Sequence, residues 1–235
     1  MPCLARSACA AIVACTIGCA SPPNAPPAVT YADDYTLFGA RNFLTGYDTK
    51  NADGTFNMAV EIPTGTSQKW ETCTTASLAD TRRFPGCTAA GREMVVEAED
   101  GERRVIHHLG YPGNYGSMPR TRAGDGDPLD IIAIGAAAER GTVIPVKVIG
   151  VIRCLDGAVR DDKIVAVASN SPLHARVSSA ADLEMVAPKA ADILLAWYQN
   201  YKGAGAMTCT ALDDEIAAMG VIVEAQTAFA RSVPE

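Results

Sequence analysis

Apolar positions fall into two different rhythms along this chain. Asn57 to Ile62, Met94 to Glu99, Arg104 to His107, Leu129 to Ile134, Val143 to Ile152 and Lys163 to Ala168 are short runs, mostly rich in β-branched residues and set off by Gly, Pro and Asp. That is the pattern of strands joined by turns. From Pro188 the period changes: Ile193, Leu194, Trp197 and Tyr201 recur at three- and four-residue spacing up to Gly203, which predicts a helix with Pro188 in its first turn. A second helix is expected over Leu212 to Arg231. The class is α+β, with enough strands for a small barrel and two main C-terminal helices packed against it.

The N-terminus follows neither rhythm. Ala8 to Ala20 is uncharged, mostly small and apolar, and follows a segment bearing Arg6. At about 13 residues it has the size of a signal-peptide core and is too short to span a bilayer. It runs through Cys19 into Ser21-Pro22-Pro23-Asn24-Ala25-Pro26-Pro27, an extended, poorly packing stretch. The arrangement resembles a bacterial lipoprotein leader with Cys19, or alternatively Cys15, as the lipidated residue; a plain secretory signal is the rival. The expected division is a signal peptide over 1–19, a proline-rich linker over 20–34 and one folded domain over 35–235, exported to the periplasm or lipid-anchored on the membrane face away from the cytoplasm.

Composition narrows the chemistry. With 235 residues, 48% of them hydrophobic, the chain can bury one sizeable core. A formal charge of −7 argues against a broad nucleic-acid footprint, which needs excess Lys and Arg on one face, so any anion must be met by a local cation cluster or by recruited metal ions. Of eight cysteines, four lie at or before Cys19 and four remain, Cys73, Cys87, Cys154 and Cys209. There is no CxxC pair to suggest zinc. Cys73 and Cys87 bracket a stretch without helix or strand periodicity, expected to be a surface loop closed by a disulfide whose main effect is on stability. Whether Cys154 and Cys209 pair stays open.

The densest chemistry is Asp125-Gly126-Asp127-Pro128-Leu129-Asp130. Three carboxylates this close repel one another unless cations lie between them, and oxygen ligands of this kind suit Mg²⁺. A helix-loop-helix calcium site fails: counted from Asp125, the sixth position is Asp130 where Gly is needed and the twelfth is Ala136 where Glu is needed.

This motif, followed by Ile131-Ile132-Ala133-Ile134, resembles the signature of the soluble family I inorganic pyrophosphatases. Other landmarks follow in order over roughly Met58 to Tyr201: Val60-Glu61-Ile62-Pro63, then Lys69 and Glu71; Arg103 ahead of Tyr111-Pro112-Gly113-Asn114-Tyr115-Gly116; Asp156, Asp161 and Lys163; and Tyr201-Lys202. Lys69 and Glu71, like Asp161 and Lys163, stand two apart and so share one face of an extended chain. The Cys73 to Cys87 segment is an insertion against the family pattern. Gly157 is a further departure, since an acidic residue often follows the first Asp there.

The resemblance implies a closed, OB-like five-stranded barrel and Mg²⁺-dependent hydrolysis of inorganic diphosphate to two phosphates, with Mn²⁺ able to substitute. It makes Asp127 the base that takes a proton from the attacking water. Asp125, Asp130, Asp156 and Asp161 become metal ligands, with Glu61 and Glu71 ordering the metals' water. Lys69, Arg103, Tyr115, Lys163, Tyr201 and Lys202 become phosphate contacts, Arg104 replacing Arg103 if the strand register slips by one. The implied assembly is a homo-oligomer, hexameric in the bacterial members. His107 and His108 receive no role, and adjacent strand residues point to opposite faces. Two rivals are a metal-dependent phosphohydrolase of nucleotides or polyphosphate and a non-catalytic metal- or phosphate-binding lipoprotein.

Overall fold

A computed structural model of the chain describes residues 29–232. The expected signal peptide, with Cys15 and Cys19, and residues 20–28 of the expected linker lie outside the described residues. In chain order the elements are β1 (Val29–Asp33), β2 (Thr36–Gly39), β3 (Phe56–Ile62), β4 (Trp70–Thr72), α1 (Thr75–Ala79), β5 (Glu93–Val96), β6 (Ala98–Glu99), β7 (Glu102–Arg103), β8 (Asn114–Ser117), β9 (Asp130–Ile134), β10 (Val143–Asp156), β11 (Val159–Arg160), β12 (Lys163–Ala168), α2 (Ala180–Val186), α3 (Ala190–Asn200), β13 (Met207–Asp213) and α4 (Glu215–Ser232).

Five strands close into a ring. β3 pairs with β8, β8 with β9, β9 with β12, β12 with β10, and β10 returns to β3. Only the β9–β12 pairing is parallel. The long β10 makes closure possible: Val143 to Val146 lie against β3, while Val146 to Ile152 lie against β12, with a register shift between Val148 and Gly150.

Both faces of these strands are covered, so their runs are continuously apolar. Ile131, Ala133, Ile164 and Ala166 join a cluster with Ala218, Val221 and Ile222 of α4. The alternate residues Ile132, Val165 and Val167 join another with Leu194, Trp197 and Tyr198 of α3 and with Trp70, Met94 and Val96. The last three belong to an outer sheet in the order β1-β2-β5-β4.

Several expected elements are redrawn. The linker assigned to 20–34 overlaps β1, which forms a hairpin with β2. Met94 to Glu99 is broken at Glu97, where the chain leaves the outer sheet for the β6–β7 hairpin. Arg104 to His107 is not a strand beyond a single bridge between Gln68 and Val105, and His107 and His108 are exposed in a bend. The helix assigned from Pro188 begins at Ala190, because Lys189 at its N-cap is left-handed with φ of 70°, and α2 precedes it unanticipated. The helix assigned from Leu212 begins at Glu215, where the Asp214 carboxylate accepts the Ala217 N–H at 2.8 Å and caps it. Leu212 instead pairs with Ile152 in the β10–β13 ladder. No described helix is long and apolar enough to cross a membrane.

Candidate active site

The acidic loop connects β8 to β9. Gly126 turns it with a φ of +96°, a conformation costly for residues with a Cβ, and the Asp125 carboxylate accepts the Asp127 N–H at 3.0 Å. Asp130 then opens β9 directly opposite Lys163, which opens β12. That register delivers the Lys163 ammonium, with its side chain 2% exposed, into ion pairs with both Asp130 and Asp161.

The facing wall comes from the ends of β3, β4 and β10. Glu61 accepts the Thr72 N–H at 3.1 Å and the Ser117 hydroxyl at 2.9 Å. Lys69 and Glu71 flank the buried Trp70 and form the ion pair expected of one strand face, and the Lys69 ammonium lies 4.9 Å from the centre of the Tyr115 ring. At the rim, Asp156 pairs with Lys202 at 2.6 Å, while Tyr201 caps α3 and stacks on Trp197 at 4.4 Å. Apart from the supporting Gly126, Trp70 and Trp197, these groups line one cavity of about 300 Å³.

A family model described as inorganic pyrophosphatase matches residues 58–230. The chain belongs to the inorganic pyrophosphatase family. It is 30% identical to an inorganic pyrophosphatase of Drosophila melanogaster over 164 residues, covering 63% of this chain and 45% of that protein. It is 32% identical to one from Nostoc sp. over 150 residues, covering 63% and 75% respectively. The crystal structure of the type I inorganic pyrophosphatase from P. falciparum superposes with a TM-score of 0.71 at 26% identity, covering 83% of this chain and 67% of that one. The chain spans about half the length of the fly and Kluyveromyces lactis relatives it matches.

Every residue assigned from the pyrophosphatase resemblance lines the cavity except Arg103. Arg103 turns away, its guanidinium 4.4 Å from the Tyr35 ring and 3.3 Å from the Val96 carbonyl. Arg104 faces the cavity instead, as the alternate strand position would, and donates to Glu97 at 2.8 Å. Gly157 has a φ of +60° and open space around it in the tight β10–β11 hairpin, a turn that favours glycine over the family's acidic residue.

The segment between Cys73 and Cys87 is more ordered than its sequence suggests, and it supplies cavity residues that pattern reasoning missed. Thr74 and Ser77 cap each other reciprocally at the start of α1, and both line the cavity, with Arg83 and Phe84. The Thr74 hydroxyl donates to Asp127 at 3.4 Å. A Thr-x-x-Ser cap signature and the Arg82-Arg83 pair were the available hints. A disulfide joins Cys73 to Cys87, and a second joins Cys154 to Cys209, which face each other across the β10–β13 ladder.

The cavity is over-supplied with carboxylate. Burial, then Glu71 and Asp125, push Asp127 up to about 6; burial, then Glu71, push Glu61 up to about 8. Burial foremost also raises Asp125, Asp161 and Glu71. For Asp130 burial works the same way, but Lys163 and Lys69 outweigh it and hold the carboxyl below its ordinary value. Among the described residues no three His, Cys, Asp or Glu side chains already gather closely enough to hold an ion; Lys163 stands between Asp130 and Asp161. The donors are nonetheless all oxygens and their charge exceeds what the lysines neutralise, which fits hard cations such as Mg²⁺.

Proposed function

We propose that this protein hydrolyses inorganic diphosphate to two phosphates with Mg²⁺ as cofactor. The observation that carries the reading is that, in a chain of this family, carboxylates and cations converge on one cavity sized for a small polyanion. Asp125, Asp130, Asp156 and Asp161 would hold the ions, with Glu61 and Glu71 completing the oxygen donors; Mn²⁺ is the expected substitute. Bound Mg²⁺ supplies charge neutralisation and makes water acidic enough to attack near neutral pH.

The chain's own groups do the rest. Asp127, lifted toward neutrality and oriented by Thr74, accepts the proton of the attacking water. Lys69, Arg104, Tyr115, Lys163, Tyr201 and Lys202 fix the phosphoryl oxygens and stabilise the charge that develops on the leaving phosphate. The cavity needs no Ser, Cys or His nucleophile for this route.

Phosphate release from diphosphate, ATP and tripolyphosphate, with Mg²⁺ and with excess chelator, tests the reading. Rapid Mg²⁺-dependent release from diphosphate alone is expected. Faster release from ATP or tripolyphosphate, or full activity in chelator, overturns it.

The same reading has the protein exported, periplasmic or lipid-anchored. The leader pattern and the pairing of all four body cysteines support it, since disulfides persist in oxidising compartments. A homo-hexamer is carried over from the bacterial family members, and light scattering of the purified protein checks it.

A further inference from the structure

We propose that Arg83 is a further substrate-contacting residue of the cleft, presented by the disulfide-closed segment and aimed by Glu97; the inference rests on the diphosphatase reading of the same cavity. Glu97 lies beneath the cavity wall with its side chain 3% exposed. Its two oxygens each take a different guanidinium, Arg83 Nε at 2.5 Å and Arg104 Nη1 at 2.8 Å. One buried carboxylate thus holds two cations, and Arg104 also reaches the exposed Glu99 at 3.6 Å, which leaves Arg83 the less neutralised of the two. Both arginines line the cleft, and both also line a second cavity of about 650 Å³ that shares Asp156 and Lys202 with it. They border both spaces.

Arg83 is free to bind an anion there. Its Nε is committed to Glu97, but among the described residues neither terminal amino group has a protein acceptor. Its side chain is 52% exposed, against 15% for Arg104. A guanidinium presents a planar fork matched to phosphate oxygens. The cleft is lined by seven carboxylates, so a polyanion entering it needs the cations that border it.

The segment also fixes where that fork sits. The Arg83 N–H donates to the Asp80 carboxylate at 3.1 Å, and its carbonyl accepts the Ala98 N–H at 2.7 Å. Its guanidinium lies 5.0 Å from the Phe84 ring, and Phe84 packs with Cys73, Cys87 and Val95 in a small core of its own. The disulfide therefore anchors the platform from which Arg83 reaches the cleft.

Steady-state kinetics with Mg²⁺ and diphosphate are compared for the wild type and for Arg83→Gln, Arg83→Lys and Arg82→Gln, each confirmed folded by its melting curve. Loss of one half-exposed charged contact should raise KM about tenfold with kcat within about twofold. Arg83→Lys should fall between, and Arg82→Gln should match the wild type. In an Asp127→Asn background, where turnover is strongly slowed, Arg83→Gln should weaken diphosphate binding, measured by calorimetry, by the same factor. The Cys73→Ser, Cys87→Ser variant should raise KM likewise, and adding Arg83→Gln to it should raise KM little further. Unchanged KM and Kd in Arg83→Gln, or equal effects at Arg82, overturn the assignment; fully additive effects of the cysteine and arginine changes overturn the anchoring. A wild type that binds diphosphate without hydrolysing it sinks the diphosphatase reading instead, and leaves Arg83 to be judged on binding alone.

Discussion

The floor of the cleft and its outer wall are built on opposite terms. On the floor, Asp130 and Lys163 are first residues of neighbouring barrel strands, and the residues behind them are buried on both faces. Their spacing is set by backbone register, which cannot slip by one residue without turning every apolar side chain to the wrong face. The wall hangs on the three-residue β4 and on a segment whose own apolar cluster comprises Cys73, Phe84, Cys87 and Val95, with Leu78 against it. So small a core cannot order a dozen residues, and a covalent tie holds them. Groups that must keep close spacing ride on register, whereas groups that meet the outer charge of a substrate ride on a stapled insertion.

The largest expected effect lies where the two regions meet. Asp127 belongs to the floor loop but receives Thr74 from the wall. Asp127→Asn should lower kcat by about 10²–10⁴, because an amide cannot take the proton, while diphosphate binding persists. Near-normal turnover at neutral pH would remove Asp127 from the base role.

Next comes Lys163, the floor's central cation. Lys163→Met strands Asp130 and Asp161 together in a buried site, a loss of about 3–5 kcal/mol by analogy with broken buried pairs. Lys202→Met removes the rim partner of Asp156, where the side chains are 23% and 45% exposed, and should cost less than about 1 kcal/mol. Urea unfolding in chelator measures both, and comparable losses would erase the distinction between floor and rim. A third test concerns the wall alone: the Cys73→Ser, Cys87→Ser variant opens a link of sequence separation 14 and should lose about 3 kcal/mol in the chain-entropy model, while keeping kcat at saturating substrate. An unchanged melting temperature would mean that the segment holds itself.

This contrast also governs what could be read from the chain. The barrel strands are legible because two-sided burial writes them as continuous runs such as Asp130–Ile134 and Lys163–Ala168. β13 is not, because of its seven residues only Met207 and Cys209 are buried, and its existence depends on β10 lying alongside. The Cys154–Cys209 bond follows from that pairing and is equally hidden. On the floor, motif spacing located each carboxylate. On the wall it could not choose between Arg103 and Arg104, since the choice depends on where the β6–β7 hairpin releases the chain, nor find Arg83, whose approach to Glu97 spans an irregular segment.

A further effect separates the regions by pH. Glu61 rises from an ordinary 4.5 to about 8, and Asp127 from 3.8 to about 6, burial being the first cause in each. The folded state therefore binds these protons more tightly than the unfolded chain does. The stability they contribute is fully present below the ordinary values and is lost as pH rises through the folded ones. In chelator, the urea midpoint should fall between about pH 5 and pH 8. Mg²⁺ favours the ionised carboxylates and opposes the decline, so the midpoint gained on adding it should be larger at pH 8 than at pH 5. Glu61→Gln should flatten the upper part of the chelator curve and Asp127→Asn the lower part. The Cys73→Ser, Cys87→Ser variant should displace the whole curve downward without changing its slope, because the staple contributes no titrating group. A disulfide variant with an altered slope would show that the wall sets the carboxylates' environment, and the two regions would then have to be treated as one.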